Sequence, residues 1–426
     1  MLNQYLFYLF ISIGAFYLVH MGIYIIGANI SDMLSYRNKS LETKKKKVYK
    51  NIRPLVSVVI PAYNEELSIE NCLDSVRNSS YKRIEVFVHN DRSTDKTAKI
   101  LAEYINKYPD FKLRAIRRRK QVGKAEGVNY CIRKYAKGNL VMTLDADCML
   151  DKDAIKNAVK YFRDPKIVGV AANVRILDKH TILGLLQKFE HMIGYRSKNF
   201  FTLANCEFIV GGVASTYRRQ TLDKVGYYDT DTQTEDIGLS MKIVAEGNRG
   251  DRIIYAPNVV ASTGGVLTLP ALIKQRYRWK LGMLQNLIKF RKLIGNNDPA
   301  YSRSLTMYRV PMAFFSELLL VLEPFILLYV IYLSIISQTL ALFVGAYMTI
   351  TLYVLWTIWP DEHASNKEKI RLSIYSPFMY FIFYIMNLVQ IVAIFKVLRD
   401  PKKVYGRNST ASHWTPPARN VEQLQA

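Results

Sequence analysis

Apolar positions are arranged in two ways along the chain: long unbroken blocks near its two ends, and short runs in its middle separated by polar stretches of helical spacing. Residues 5–30 contain no Lys, Arg, Asp or Glu, and His20 is the one imidazole among them. At about 1.5 Å per residue such a block can cross a hydrocarbon layer of about 30 Å. No basic segment precedes it and it exceeds the length of a cleavable signal, so it reads as a retained anchor. A second block covers residues 305–359, with few charges (Arg309, Glu317 and Glu323 among them), and divides near Ser337-Gln338 into two spans. A last span covers residues 374–395.

The flanking charges assign sides. Arg37, Lys39 and the run Lys44 to Lys47 follow the first span, and Lys367, Lys369 and Arg371 precede the last, both marks of a cytoplasmic flank beside anionic lipid. With the middle of the chain inside, one span before it and three after it would leave the basic tail (Lys396, Arg399, Lys402, Lys403, Arg407) outside, against the same rule. Residues 307–322, with Pro311 and Glu317, are the candidate for an interfacial piece, although removing them alone need not change the parity. The side of the tail stays open.

Between about residues 48 and 297 the chain is too polar to span a bilayer. Strand-like runs at residues 56–60, 84–88, 112–116 and 140–144 alternate with helical spacing over 66–79, 95–107 and 124–136. That alternation predicts an α/β domain with a mostly parallel sheet covered on both faces, whose ligands bind beyond the carboxyl ends of the strands. Residues 272–290 carry Lys274, Arg276, Arg278, Lys280 and Lys289 beside Leu281, Leu284, Leu287 and Ile288, a basic amphipathic helix at a membrane surface. Residues 181–201 read as a second interface helix, or as a core helix under the sheet. The organisation is an anchor and flank (1–35), the α/β domain (48–266), an amphipathic helix (267–297), carboxy-terminal spans (305–397) and a basic tail (398–426).

Half of the 426 residues are hydrophobic and 22% are charged, which excludes a disordered chain. Lys plus Arg outnumber Asp plus Glu by 59 to 35, a net +24 that calls for an anionic partner or surface. Cys72, Cys131, Cys148 and Cys206 form neither a C-x-x-C pair nor a cluster with His, and read as reduced thiols.

The chemistry-bearing residues follow the strands. The first run ends in Pro61-Ala62-Tyr63-Asn64-Glu65-Glu66, the second in Asn90-Asp91-Arg92-Ser93-Thr94-Asp95, the fourth in Asp145-Ala146-Asp147. Each alone is matched by ordinary turn and cap chemistry. Asp-x-Asp after a buried strand is more pointed: two carboxylates there can face one cation while a phosphate fills its other positions, and uncompensated charge would be costly. Glu235-Asp236 opens a helical stretch, where the helix dipole favours acids in any case.

Taken together, Asn90-Asp91 with Ser93, Gly123-Lys124-Ala125, Asp145-Ala146-Asp147, Thr234-Glu235-Asp236 and Gln275-Arg276-Tyr277-Arg278-Trp279 resemble, in order and spacing, the membrane-integrated family 2 glycosyltransferases. The stretch 209–218 and Trp414-Thr415-Pro416-Pro417-Ala418-Arg419 are most similar to bacterial poly-β-1,6-N-acetylglucosamine synthases; hyaluronan, cellulose and chitin synthases are relatives. The resemblance implies a cytoplasmic GT-A-like domain between transmembrane helices of a plasma-membrane, multi-pass protein. It implies an inverting, processive enzyme that polymerises a UDP-sugar, with UDP-N-acetylglucosamine first in line, and passes the product across the bilayer.

By the same resemblance Ala62, Tyr63, Glu65, Asp91, Lys124, Asp145, Gln275, Arg278 and Trp279 would bind the donor, with Asp91 accepting from the uracil and Lys124 facing phosphate. Asp145 and Asp147 would hold Mg²⁺ or Mn²⁺. Asp236 would be the general base with Glu235 governing its pKa, and Gly212 and Trp279 would meet the acceptor, the growing polysaccharide. Room is left for an accessory membrane subunit. Arg92 departs from the Gly of the family's D-G-S turn, where positive φ is costly for a side chain. Glu317, Glu323, Tyr329 and Asn387 could line a lumen or simply pack helices. Alternatives are a hyaluronan-synthase-like use of two UDP-sugars and a non-processive transfer to a lipid acceptor. Nothing points to nucleic acid, since neither zinc-finger nor RNP signatures occur.

Overall fold

The structure, a computed structural model, describes residues 2–44, 53–177, 181–338 and 340–405. A single helix, α1 (Leu2–Lys44), carries the amino-terminal apolar block and its flank. The α/β domain opens with β1 (Val56–Ala62), α2 (Ile69–Arg77), β2 (Ile84–Asn90), α3 (Thr97–Lys107), β3 (Leu113–Arg117), α4 (Lys124–Lys134) and β4 (Leu140–Thr143), matching the expected alternation. It continues through β5 (Cys148–Leu150), α5 (Ala154–Tyr161), β6 (Ile167–Leu177), α6 (Ile182–Leu203), β7 (Ser215–Arg218), α7 (Arg219–Val225), α8 (Glu235–Glu246) and β8 (Arg252–Gly264). Next come α9 (Leu269–Lys289) and the apolar helices α10 (Val310–Ile336), α11 (Ala341–Ile358) and α12 (Asn366–Leu398).

The eight strands form one sheet in the order β3-β2-β1-β4-β7-β6-β8-β5. β3, β2, β1 and β4 are parallel, as are β6 and β8, while β7 runs antiparallel between β4 and β6 and β5 antiparallel beside β8. The apolar run of β1 has no polar face because both of its faces are covered. Val56, Val58 and Ile60 pack with Ile69 and Leu73 of α2, and Val59 with Val128 and Ile132 of α4. Parallel pairing of β1, β2 and β4 brings three strand ends, and the loops after them, to one edge.

Among the described residues three helices are long and apolar enough to cross a membrane, at Gln4–Leu34, Leu319–Ile336 and Phe381–Leu398, and α11 adds the shorter apolar segment Phe343–Ile358. The chain divides at Ser337-Gln338 as expected. The interfacial piece expected at residues 307–322 is not a separate element: a π-helical turn (Ser304–Arg309) runs directly into α10. Pro311 lies in the first turn of α10, where its missing N–H removes no intrahelical bond, so it starts the helix and does not interrupt it. The four polar residues considered for a lumen make contacts between helices. Asn387 donates to Glu323 at 2.7 Å, Lys280 of α9 pairs with Glu317 of α10 at 2.7 Å, and the Tyr329 ring stacks on Phe10 at 4.7 Å. Lys45 to Lys47, Arg407 and the motif 414–419 lie outside the described residues.

Candidate functional site

The loops that leave β1 and β2 are tied to each other. The Asn64 amide donates to Ser93 Oγ at 3.0 Å, the Glu65 amide to Thr97 Oγ1 at 2.8 Å and the Glu66 amide to Asp95 at 3.0 Å. Asn64 Oδ1 in turn accepts from the Thr94 amide at 2.8 Å. Both loops turn through positive φ, 56° at Asn64 and 66° at Arg92. Arg92 therefore takes up the left-handed conformation that the sequence made costly, and its guanidinium donates to the Arg119 carbonyl, fastening the strained turn to the next loop. Ala62 ends β1, its carbonyl accepting from the Asp91 amide at 2.9 Å. Glu65 accepts from Ser68 Oγ at 2.6 Å, and Tyr63 is half-buried beside it.

Asp91 has a second task. Its two carboxylate oxygens accept the Val122 and Gly123 amides, each at 2.8 Å, and so fix the start of α4. Gly123 stands at φ 82°, ψ 169°, a region essentially restricted to glycine. Lys124, the first residue of the helix, consequently points to the end of β4. Its Nζ lies 2.7 Å from Asp145 Oδ1 and 3.2 Å from Glu235 Oε1. Burial alone would lower the ammonium's pKa, but Asp145, Glu235 and Asp236 outweigh it and hold Lys124 firmly charged.

The segment between α6 and β7 closes the site. A Cβ on Gly212 would stand 3.0 Å from Lys124 Nζ and 3.6 Å from both Asp145 Oδ2 and Asp236 Oδ2, so these three groups converge on one glycine. Asp236 lies in the first turn of α8, where Oδ1 accepts from the Ile237 amide at 2.8 Å. Its carboxyl is pushed up to about 6, first by burial and then by the neighbouring Glu235. Asp145, Asp147 and Cys148 each offer a ligand atom within 4.8 Å of the others, with the Cys148 thiol donating to Asp147 at 3.1 Å. Two hard carboxylate oxygens at this spacing suit Mg²⁺ or Mn²⁺, with open positions left for phosphate oxygens.

Helix α9 is seated directly on the turn that carries these acids. A Cβ on Gly282 would meet Thr234 Oγ1 at 2.4 Å and the Thr234 amide at 2.7 Å, and one on Gly238 would meet Asn286 Oδ1 at 2.9 Å. Glycine at both crossings leaves room for Thr234 against α9 and for Asn286 against α8. The basic face expected on α9 is only partly a surface: Arg276 is buried, pairs with Glu190 of α6 at 2.6 Å and lies 4.1 Å from the Trp279 ring centroid. Gln275 is buried with an Oε1 that has no protein partner among the described residues. Such an orphaned acceptor is what a ligand donor would satisfy.

The structure thus brings Lys124, Asp145, Gly212, Glu235 and Asp236 together, with Asp147 on the same turn as Asp145 and Asp91 joined to them through the turn that precedes Lys124. Gln275, Arg278 and Trp279 share the helix that abuts Thr234. Sequence reasoning missed Lys198 of α6, which donates to the Ile209 carbonyl at 2.5 Å and faces Glu207 at 3.3 Å. Glu207 Oε1 also accepts the Phe208 and Ile209 amides, at 3.0 and 2.8 Å, so this buried pair shapes the segment that ends in Gly212. Burial lowers the Lys198 pKa, against the pull of Glu207. Asn286 was missed as well. The only available signal was a polar residue among Leu284, Leu287 and Ile288.

Comparison with known proteins matches residues 57–226 to the model of glycosyl transferase family 2. The chain is 34% identical over 283 residues to the poly-beta-1,6-N-acetyl-D-glucosamine synthase of Staphylococcus aureus (strain COL), covering 66% of this chain and 67% of that one. To the synthase of the same name from Staphylococcus epidermidis it is 35% identical over 237 residues, 55% of this chain and 56% of that one. Among solved structures, a mannosyltransferase of Pyrobaculum calidifontis in complex with GDP-Man and Mn²⁺ superposes with a TM-score of 0.55 at 21% identity, covering 89% of this chain and 99% of that chain. At that identity the likeness is one of fold.

Proposed function

Because the chain belongs to glycosyl transferase family 2, a polysaccharide-synthase-type glycosyltransferase, we propose that it polymerises a sugar from a UDP-sugar donor, UDP-N-acetylglucosamine first in line, and passes the chain across the membrane. The observation that carries this reading is the convergence of Lys124, Asp145 and Asp236 on Gly212, directly under the helix of Gln275, Arg278 and Trp279. The α/β domain faces the cytoplasm, on the side of the basic flank that follows the first apolar span.

In this reading Asp91 both accepts from the uracil and fixes the turn that aims Lys124. Its oxygens keep acceptor capacity after taking the two amides, since each carries two lone pairs. Ala62, Tyr63 and Glu65 border the base and ribose. Lys124 leaves Asp145 and Glu235 for the donor's phosphates, a short movement for a flexible ammonium. Asp145 and Asp147 would hold Mg²⁺ or Mn²⁺, which when bound acts as a Lewis acid on the leaving diphosphate.

Asp236 takes the proton of the acceptor hydroxyl while that oxygen forms the bond to the anomeric carbon and the bond from that carbon to UDP breaks, inverting the centre. A carboxyl held near 6 is basic enough to accept that proton and is ionised at neutral pH. Gly212 leaves room for the acceptor between base and donor, Trp279 offers a sugar ring a stacking face, and Gln275 and Arg278 meet the donor from above. The test is to incubate detergent-purified protein with each labelled UDP-sugar in turn, with Mg²⁺ and then Mn²⁺, and size the product. Polymer from UDP-N-acetylglucosamine alone, abolished in Asp236→Asn, is expected. A need for two donors or a single-sugar lipid product would overturn the homopolymer reading.

A further inference from the structure

A cavity of about 280 Å³ lies apart from the acids and has no part in the reaction described above. One stripe of α6 forms its floor, at Lys188, His191, Tyr195, Asn199 and Thr202, residues spaced three or four apart and therefore on one helix face. The opposite wall is a break in the sheet. Ala172 pairs with Ala256 but Asn173 pairs with Val260, so residues 257–259 of β8 bulge out of register and turn Pro257 and Asn258 into the cavity. Bulges of this kind redirect side chains beside functional sites. The end of α1, at Ser31 and Asp32, and the loop after α11, at residues 360–363, complete the wall. None of Asp91, Lys124, Asp145, Asp236 or Trp279 lines it.

The lining selects a chemical class. Its cations are already neutralised: Arg175 pairs with Asp361 at 3.1 Å, Arg196 with Asp32 at 2.5 Å, and Lys188 with Glu368. No surplus charge is left for a phosphate or nucleotide. What remains is aromatic surface and uncommitted hydrogen bonding. The Tyr195 and Tyr255 rings lie 5.6 Å apart at 30°, and His191 is 5.7 Å from Tyr195. Asn199 is only 7% exposed, yet nothing among the described residues hydrogen-bonds its side chain. An amide that faces a cavity can offer its two donors and its acceptor to a ligand in place of water. Flat rings beside paired donors and acceptors, without net charge, suit a polyhydroxylated neutral ring.

We propose that this cavity binds a neutral oligosaccharide at a site separate from the sugar nucleotide, with Asn199 supplying the specific hydrogen bonds and Tyr195 and Tyr255 the ring contacts. Choosing a saccharide over another polyol rests on the polysaccharide-synthase reading, whose own product is of this class. The site sits where α6, α1 and the α11–α12 loop meet, so occupancy would join the α/β domain to the apolar helices around it.

The test uses the full-length protein in detergent micelles, saturated with UDP and Mn²⁺ so that the donor site is filled, and titrated calorimetrically with an N-acetylglucosamine trisaccharide. Saturable binding is expected. It should weaken at least tenfold in Asn199→Leu and in the isosteric Asn199→Asp, both of which should still bind UDP as a check of folding, and stay unchanged in Trp279→Ala. Absence of saturable binding, indifference to both Asn199 variants, loss in Trp279→Ala alone, or displacement by inorganic phosphate would overturn it. Transfer that survives Asp236→Asn would sink the proposed base while leaving the trisaccharide result standing, so the two failures are distinct.

Discussion

Asn286 of α9 donates its side-chain amide to both the carbonyl and the hydroxyl of Thr234, at 3.0 Å each, in a place with no solvent exposure. Thr234 is the residue before Glu235 and Asp236, so one buried amide registers the helix of Gln275, Arg278 and Trp279 against the turn that carries the proposed base. Asn286→Leu takes the donor from the Thr234 hydroxyl and leaves the Thr234 carbonyl only the Gly238 amide, at a cost of roughly 1–3 kcal/mol in stability. A displaced turn is expected to lower kcat at least tenfold while leaving the donor KM within about twofold, because misplacement of about 1 Å can cost about a hundredfold in rate. Gly282→Ala, whose new methyl would press on Thr234, should be worse. Equal kcat in wild type and Asn286→Leu would refute the role.

How much of this was legible in the sequence depends on whether an interaction is local. The strands β1 to β4 and the helices between them were readable because runs such as Val56 to Ile60 must be buried on both faces, and burial leaves a continuous apolar signature. Asp145-Ala146-Asp147 stood out as acids directly after a buried strand, whereas Glu235-Asp236 stood out only through the family resemblance, since a helix start favours acids in any case. The crossing of α8 and α9 was not readable. It depends on Gly238 and Gly282 lying opposite Asn286 and Thr234, a coincidence that exists only once both helices are packed. The partners of Lys124 and Lys198 were hidden similarly, since long-range ion pairs leave no periodicity.

The pH dependence of transfer follows from Asp236. The proposed base must be ionised, so the rate should rise with pH through about 6 and level off above it. Stability should move the other way. The folded pKa is raised from 3.8 to about 6, so the folded state favours the protonated carboxyl. The destabilisation is absent below 3.8, grows between the two values and is complete above about 6. Asp236→Asn should therefore be inactive yet more stable at pH 8, by up to about 3 kcal/mol, and no more stable at pH 3. Thermal melts of both proteins at the two pH values decide it; an equal gain at both would break the link to ionisation.

His89 offers a test of stability alone. It is fully buried on β2, and neither ring nitrogen has a hydrogen-bond partner among the described residues. Desolvation lowers its pKa, which keeps the ring neutral but does not satisfy its nitrogens. A methyl on Gly127 would approach His89 Nδ1 to 2.3 Å, so the ring is also held tightly from α4. His89→Leu, close in volume and without polar atoms, is expected to stabilise the protein by about 1 kcal/mol in denaturant titration, since a buried polar group without a partner costs about 1–3 kcal/mol. Gly127→Ala should destabilise it. Loss of stability in His89→Leu would mean that the nitrogens are satisfied in solution.

Removing the divalent metal should separate activity from folding. Asp145 and Glu235 already share the Lys124 ammonium, at 2.7 and 3.2 Å, so the acids are compensated by the chain itself and need no cation to stay buried. Chelation is therefore expected to abolish transfer and to leave the melting temperature within a few degrees, with activity returning on addition of Mg²⁺ or Mn²⁺. Asp147→Asn takes away one of the two carboxylates of the Asp-x-Asp turn and should raise the metal concentration for half-maximal rate by at least about tenfold; changes one shell further out already cost about 10–100-fold in metal affinity. Cys148→Ala, which removes the thiol donor from Asp147, should shift it less and in the same direction. If chelation instead unfolds the protein, Lys124 does not supply the compensation assigned to it, and the metal belongs to the fold as much as to the reaction.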